Sequence, residues 1–476
     1  MATIKECWNA RIEVCAREET KREERCVEER DLGYNRCTAE RDDGYRRCCD
    51  WAPCSWFCKA WVWVSNIVCV VWEWVQNIVC VVTDWFETIL CVAYTTATFV
   101  FCAFFPAGSI LIKAADGFFF KATALGRNLI IAPLNAIAHP ARTVGTLLSY
   151  FGGCPDERYI LPTPLQIISH HGYTKSYAEN TIQACRFALE AGATALEIDV
   201  CYTSDGQVVL WHDWDPDDAA NVGRRWTGND AYKVEPPDLG SAFRRPVIEL
   251  TLAELRENYR YVRDARADSG EGVDTTIPTL DTFFEEAKSW RKPPQVVYLD
   301  IKMPADAVQH APQLADKLCW LMKTYAPLPF VTVAMVPELI VLKVIKARAA
   351  ALGVDLKFTW DVEFPPGAIL NPWKYSAIDH ATGSLHNTVA SVGRPTPATL
   401  LPWRTYRRTI AYDIGQWNKV NGDPSTYNAG LPVDWLIAWT INDADEMKCL
   451  CSMGVSGIIT DEIERLVGVV QSTKWP

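Results

Sequence analysis

The rhythm of apolar and polar positions divides this chain into three stretches. In the first, the interval is eleven: Cys15, Cys26, Cys37 and Cys48 recur at that spacing, and so do Cys58, Cys69, Cys80, Cys91 and Cys102. Trp63, Trp74 and Trp85 repeat with them, as does Asn66-Ile67 in Asn77-Ile78. Eleven residues close about three helical turns at roughly 3.67 residues per turn, so each repeated position forms a nearly straight stripe with a slight right-handed drift. Two long helices are predicted within residues 1–105, bent near Pro53, which lacks an N–H. The first is charged nearly all round except for a stripe of cysteine, Ile12, Tyr34 and Tyr45, while Trp, Val and Ile cover most of the second. An apolar surface that broad exceeds what one partner helix hides, so further copies of the chain or lipid are expected to cover the rest. The plainer alternative is an intramolecular hairpin in which the cysteines are small apolar packers.

Residues 106–164 have a mixed pattern that reads as amphipathic linker helices, and Gly152-Gly153-Cys154-Pro155 marks the boundary with the third stretch. Beyond it, eight short apolar runs fall at 166–169, 195–200, 296–301, 330–335, 356–359, 376–379, 435–440 and 457–460. Helical patterns such as 181–191, 280–290 and 337–352 lie between most of them, and this alternation predicts a (β/α)₈ TIM barrel over residues 165–476. The run at 208–211 follows an Asp205-Gly206 turn and reads as a hairpin arm at the rim. Residues 215–276, rich in Pro, Gly and charge with little strand pattern, are expected to cap the barrel as an insertion.

Candidate chemistry sits at the ends of these runs. His170 and His171 follow the first, and Gly172 lets the chain turn away at once. Glu197 and Asp199 are two apart on the second, so a strand points both carboxylates to one face. Adjacent acids repel unless a positive charge lies between them, and a hard divalent cation, Mg²⁺ or Ca²⁺, meets that need. His212 ends the hairpin arm and supplies a second imidazole for proton transfer. His380 and Trp439 also fall at predicted run ends, the latter as a headgroup platform or as barrel packing.

The order His170-His171-Gly172, Glu179-Asn180-Thr181, Glu197-x-Asp199, His212-Asp213 resembles the glycerophosphodiester phosphodiesterase family, whose hallmark is His-Arg-Gly, Pro-Glu-Asn-Thr, Glu-x-Asp and a later His-Asp. The likeness extends through residues 296–302, Trp439-Thr440-Ile441-Asn442 and residues 454–461, roughly two thirds of the chain. His171 replaces the family's Arg, Ala178 its Pro, and Asp300 its usual Glu; Asp300-x-Lys302 is similar to the related sphingomyelinase D group. The resemblance implies a metal held by Glu197, Asp199 and Asp300, acid/base catalysis by His170 and His212, and attack on phosphorus by a neighbouring substrate hydroxyl. Lys302 and His171 are the candidates for binding phosphate, although histidine lacks the permanent charge and forked donors of Arg.

Composition narrows the partners. The chain has 476 residues and a formal net charge of −11, which argues against a nucleic-acid ligand. Twelve of its 18 cysteines lie at or before Cys102, so the barrel is ordinary in cysteine. No secretory signal peptide is read at the N-terminus. Residues 88–112 are uncharged and long enough to span a bilayer, but Pro106 and Gly108 interrupt them, and Glu73, Asp84 and Glu87 would be costly in lipid. The expectation is therefore a membrane-associated, homo-oligomeric stalk carrying a barrel that consumes glycerophosphodiesters. Two alternatives stand beside it: a sphingomyelinase D-like phospholipase D acting on intact or lyso lipids, and a self-assembling structural protein with a passenger barrel.

Overall fold

The computed structural model describes residues 154–161, 164–227, 230–264, 273–362, 376–383, 385–393 and 403–472, with isolated positions between 27 and 91. Apart from those isolated positions the predicted N-terminal hairpin lies outside the described residues, as do residues 106–153 of the predicted linker helices. The strands are β1 (Gln166–His170), β2 (Ala195–Tyr202), β3 (Val208–Leu210), β4 (Tyr232–Glu235), β5 (Arg260–Arg263), β6 (Val296–Ile301), β7 (Val331–Val336), β8 (Lys357–Val362), β9 (Val389–Gly393), β10 (Trp435–Trp439) and β11 (Gly457–Thr460). The α-helices are α1 (Ile182–Glu190), α2 (Ala219–Thr227), α3 (Leu252–Asn258), α4 (Leu280–Ser289), α5 (Ala311–Thr324), α6 (Leu339–Ala351), α7 (Ala377–Thr382), α8 (Trp403–Gly422), α9 (Pro424–Tyr427), α10 (Ala444–Met453) and α11 (Ile463–Ser472).

Strands β1, β2 and β6 to β11 are all parallel and close on themselves, since β1 pairs with both β2 and β11. This is the TIM barrel. Because both faces of each strand are covered, the strands read as near-continuous apolar runs, which is why they are conspicuous in the sequence. Inward-pointing Ile168, Val296, Tyr298, Val333, Val389, Ile437 and Ile459 fill the barrel, and a larger apolar layer joins the outer strand faces to the helices. The hairpin arm is β3, antiparallel to β2.

Local signals explain the boundaries. Thr181 caps α1 by accepting from Ala184 N, and Thr251 with Glu254 forms a reciprocal capping box on α3. After β1 the chain turns through His171 and Gly172, with φ of 56° and 89°. A Cβ on Gly172 would lie 2.7 Å from the Ala184 Cβ, so only glycine lets this turn pack onto α1.

One predicted strand is corrected. Residues 376–379 start α7, with the Ser376 hydroxyl accepting from Asp379 N, and the sixth barrel strand is β9 instead. Ser376 followed three residues later by an acid is an N-cap signature, and it outweighs the short apolar content. His380 consequently lies on a helix, buried, with its ring 4.7 Å from that of Trp360, and not at a strand end. The insertion also holds more order than its pattern predicts. There β4 and β5 pair antiparallel, and a separate core forms around Trp211, Val234, Leu250, Leu255 and Tyr261.

Candidate active site

Parallel register sets the site. His170 pairs with Glu197, and Asp199 with Asp300, so four functional side chains stand in two successive layers at the C-terminal ends of β1, β2 and β6. Lys302, just past β6, reaches back to Asp300 Oδ2 at 2.5 Å and to Asp199 Oδ1 at 3.0 Å. This is the end of a TIM barrel at which loops can surround a substrate.

The carboxylates are buried, with Glu197 and Asp199 at most 2% exposed. Burial, then the charge of Asp199, pushes the Glu197 carboxyl well up. Burial works the same way on Asp199, but His171 and Lys302 override it and hold that carboxyl well below its ordinary value. Ligand atoms from Glu197, Asp199 and Asp300 all lie within 4.8 Å of one another. Glu197 Oε1 and Asp300 Oδ1 are buried with no hydrogen-bond partner, and such oxygens are expensive to leave bare. A hard divalent cation fits this donor set: it would satisfy the bare oxygens and relieve the repulsion. His170, His171 and Glu197 form a second convergent group, but imidazoles suit softer metals.

The two catalytic candidates are held differently. His170 Nδ1 lies 2.6 Å from Asp461 Oδ1, and Asp461 is steadied by Asn442 Nδ2 at 2.6 Å. Burial lowers the His170 pKa, but Asp461, helped by Glu197 and Asp199, wins and raises it to about 9. His212 Nδ1 lies 2.9 Å from Asp213 Oδ1. Burial, reinforced by Arg224 and Lys302, lowers the His212 pKa to about 4. At neutral pH one imidazole is therefore charged and the other neutral.

His171 points inward. Its backbone N–H donates to Glu197 Oε2 at 3.1 Å, and its Nδ1 is 2.5 Å from Asp199 Oδ2, out of line for a hydrogen bond. Burial, with help from His170, lowers its pKa to about 4, so it carries no charge in place of the family's Arg. Trp439 lines the mouth from β10, its Nε1 donating to Ser391 Oγ at 2.7 Å and its ring lying against Gly393. Four further residues support the site. Asn180 donates to Asp199 Oδ2 at 2.7 Å and accepts from its backbone N–H at 2.9 Å. Asp461 and Asp213 orient the histidines, and Arg224 bridges Glu179 and Asp213. Asn180 and Asp213 belong to the sequence motif and Asp461 ends the matching stretch 454–461, whereas nothing local marks Arg224.

A family model described as "Glycerophosphoryl diester phosphodiesterase family" matches residues 170–322. That match takes in 153 of the chain's 476 residues. The glycerophosphodiester phosphodiesterase of Caldanaerobacter subterraneus subsp. tengcongensis is 25% identical over 305 residues, 64% of this chain and 97% of that protein. Human glycerophosphodiester phosphodiesterase 1 is 45% identical over 49 residues, 15% of its own length. A solved structure of a putative glycerophosphoryl diester phosphodiesterase from Silicibacter pomeroyi aligns with a TM-score of 0.48 at 20% identity, covering 67% of this chain and 97% of that one. These relatives are phosphoric diester hydrolases by name, and the stretch that the family model matches holds His170, Glu197, Asp199, His212, Asp300 and Lys302.

Proposed function

We propose that this chain cleaves glycerophosphodiesters with a divalent cation, Mg²⁺ or Ca²⁺, held by Glu197, Asp199 and Asp300. The observation that carries the reading is the pair of buried carboxylate oxygens without partners, Glu197 Oε1 and Asp300 Oδ1, at the mouth of a phosphodiesterase barrel. When bound, the cation supplies Lewis-acid polarisation of the phosphodiester and neutralises part of its charge.

The chain's own residues supply the rest. The Lys302 ammonium, always charged here, offsets charge on a phosphate oxygen. Neutral His212 accepts the proton of the attacking hydroxyl, and protonated His170 gives its proton to the departing oxygen. These roles match the two pKa values, about 4 and about 9, and would be reversed only if the two environments were exchanged. Asp213 and Asp461 each hold one ring in place. Trp439 walls the mouth on the side away from the carboxylates.

The ion pair of Lys302 with Asp300 favours a second reading, a sphingomyelinase D-like cleavage of intact or lyso lipids. One experiment separates the two. Purified protein is stripped with chelator, reloaded with Mg²⁺ or Ca²⁺, and given glycerophosphocholine, lysophosphatidylcholine or sphingomyelin. Metal-restored release of choline or glycerol phosphate from the first supports our reading, while turnover of only the latter two supports the second. Full activity in excess chelator refutes the metal site.

A further inference from the structure

Asp213 is fully buried, and both its oxygens are engaged. Oδ1 accepts from Arg224 Nη2 at 2.8 Å and faces His212 Nδ1 at 2.9 Å, and Oδ2 accepts from Arg225 Nη1 at 2.7 Å. The other amino group of Arg224 donates to Glu179, which is also buried. Glu179 adjoins Asn180, whose side chain holds Asp199. Arg224, on α2 of the insertion, therefore ties the support of His212 to the support of the metal carboxylates.

We infer that Arg224 is a positioning residue for the base His212, acting through Asp213; the inference deepens the hydrolytic reading above and rests on it. A guanidinium never deprotonates in a protein, and two of them keep Asp213 ionised. An ionised carboxylate only accepts, so the shared proton sits on His212 Nδ1 and the Nε2 lone pair is left for the attacking hydroxyl. The groups that face His212 electrostatically are Arg224, Lys302, Asp199 and Asp213, with the His171 ring 5.6 Å away. Arg224 is poorly placed to clamp phosphate itself, because both its amino groups already donate to carboxylates. Lysine cannot replace it: a single ammonium lacks the fork that spans two carboxylates.

The test uses the full-length protein with Arg224→Ala, Arg224→Lys, Asp213→Asn and the Arg224→Ala/Asp213→Asn pair, assayed on glycerophosphocholine. Both Arg224 variants should lose about 10- to 100-fold in kcat, the scale of lost outer-shell support, with KM nearly unchanged. Guanidinium at millimolar concentration should restore part of the activity of Arg224→Ala, which also shows that this variant is folded. The double variant should be no worse than Asp213→Asn alone. Histidine ¹⁵N shifts should report a single Nδ1–H tautomer for His212 in the natural protein and a mixture in Arg224→Ala. A rise in KM with kcat preserved, or additive losses, would make Arg224 a phosphate clamp and overturn the inference. So would unchanged His212 shifts. If the natural protein fails to cleave any diester, the hydrolytic reading falls, and the nitrogen shifts still decide the role of Arg224.

Discussion

Glu197 and Asp199 lie two residues apart, and Asp300 faces Asp199 across one strand pair. Three acids so close, two of them buried, repel one another unless a cation is shared among them. Glu197→Gln should therefore reduce activity by on the order of 100-fold or more while the fold and melting temperature are kept or slightly improved, because a repulsive charge is removed. Calorimetric titration with Mg²⁺ or Ca²⁺ should show the lost site directly, and undiminished turnover would defeat the assignment. The histidines predict a bell-shaped rate profile. Activity rises with pH as His212, lowered to about 4, sheds its proton, and falls as His170, raised to about 9, sheds its own. A bound cation opposes the lift that Glu197 and Asp199 give His170, so metal should draw the upper limb down. His170→Ala and His212→Ala should each lose about two to four orders of magnitude, and His212→Ala should remove the lower limb. A flat profile would place the acid and base elsewhere. At this scale much is legible in the sequence: period-two spacing aligns the carboxylates, and the motif names the histidines. The hidden part is the role of Asp461, whose stretch is legible but whose contact with His170 spans 291 residues of chain, a pairing that only barrel closure produces.

At the scale of elements, the turn between β1 and α1 concentrates the risk. Gly172 has φ +89° and no room for a Cβ, so Gly172→Ala combines backbone strain with a clash against Ala184. The cost should be about 1–3 kcal/mol in urea unfolding, with a larger proportional loss of activity because the turn also aims His170 and His171. Stability equal to the natural protein would mean the turn relaxes freely. Seven of the eight barrel strands are legible because a parallel strand covered on both faces has few polar interruptions. The remaining apolar run falls on α7 instead, where Ser376 and Asp379 spell a helix cap within an apolar context. The pairing of β4 with β5 is illegible for the opposite reason: Lys233, Glu235, Arg260 and Arg263 make these strands look like solvated loop.

The whole molecule joins this barrel to a long N-terminal region whose eleven-residue repeat is visible only in the sequence. Among the described residues no helix is long and apolar enough to cross a membrane. We propose that the repeat assembles the chain into a homo-oligomer at a membrane, since a seam that stays in phase for tens of ångströms at about 1.5 Å per residue exceeds what one copy needs. Deleting residues 1–153 should leave a monomer that still cleaves a small soluble diester, while the full-length chain sediments as a large particle in detergent. Analytical ultracentrifugation decides, and a monomeric full-length protein would refute the proposal.

The junction between the two regions has a place in the barrel. Cys154 is bonded to Cys449 on α10, the Tyr159 N–H donates to Met453 O at 2.9 Å, and its ring stacks 3.6 Å from Trp417. All of this lies at the end where β1 and β11 begin, opposite the mouth. The barrel is thus fastened by its closed base, and a pull on the N-terminal arm is borne by the disulfide and the stacked rings before it reaches β1. If the proposed assembly forms through residues before Cys154, the mouth lies at the end of the barrel opposite the point where the chain enters it, and substrate would reach it clear of that junction.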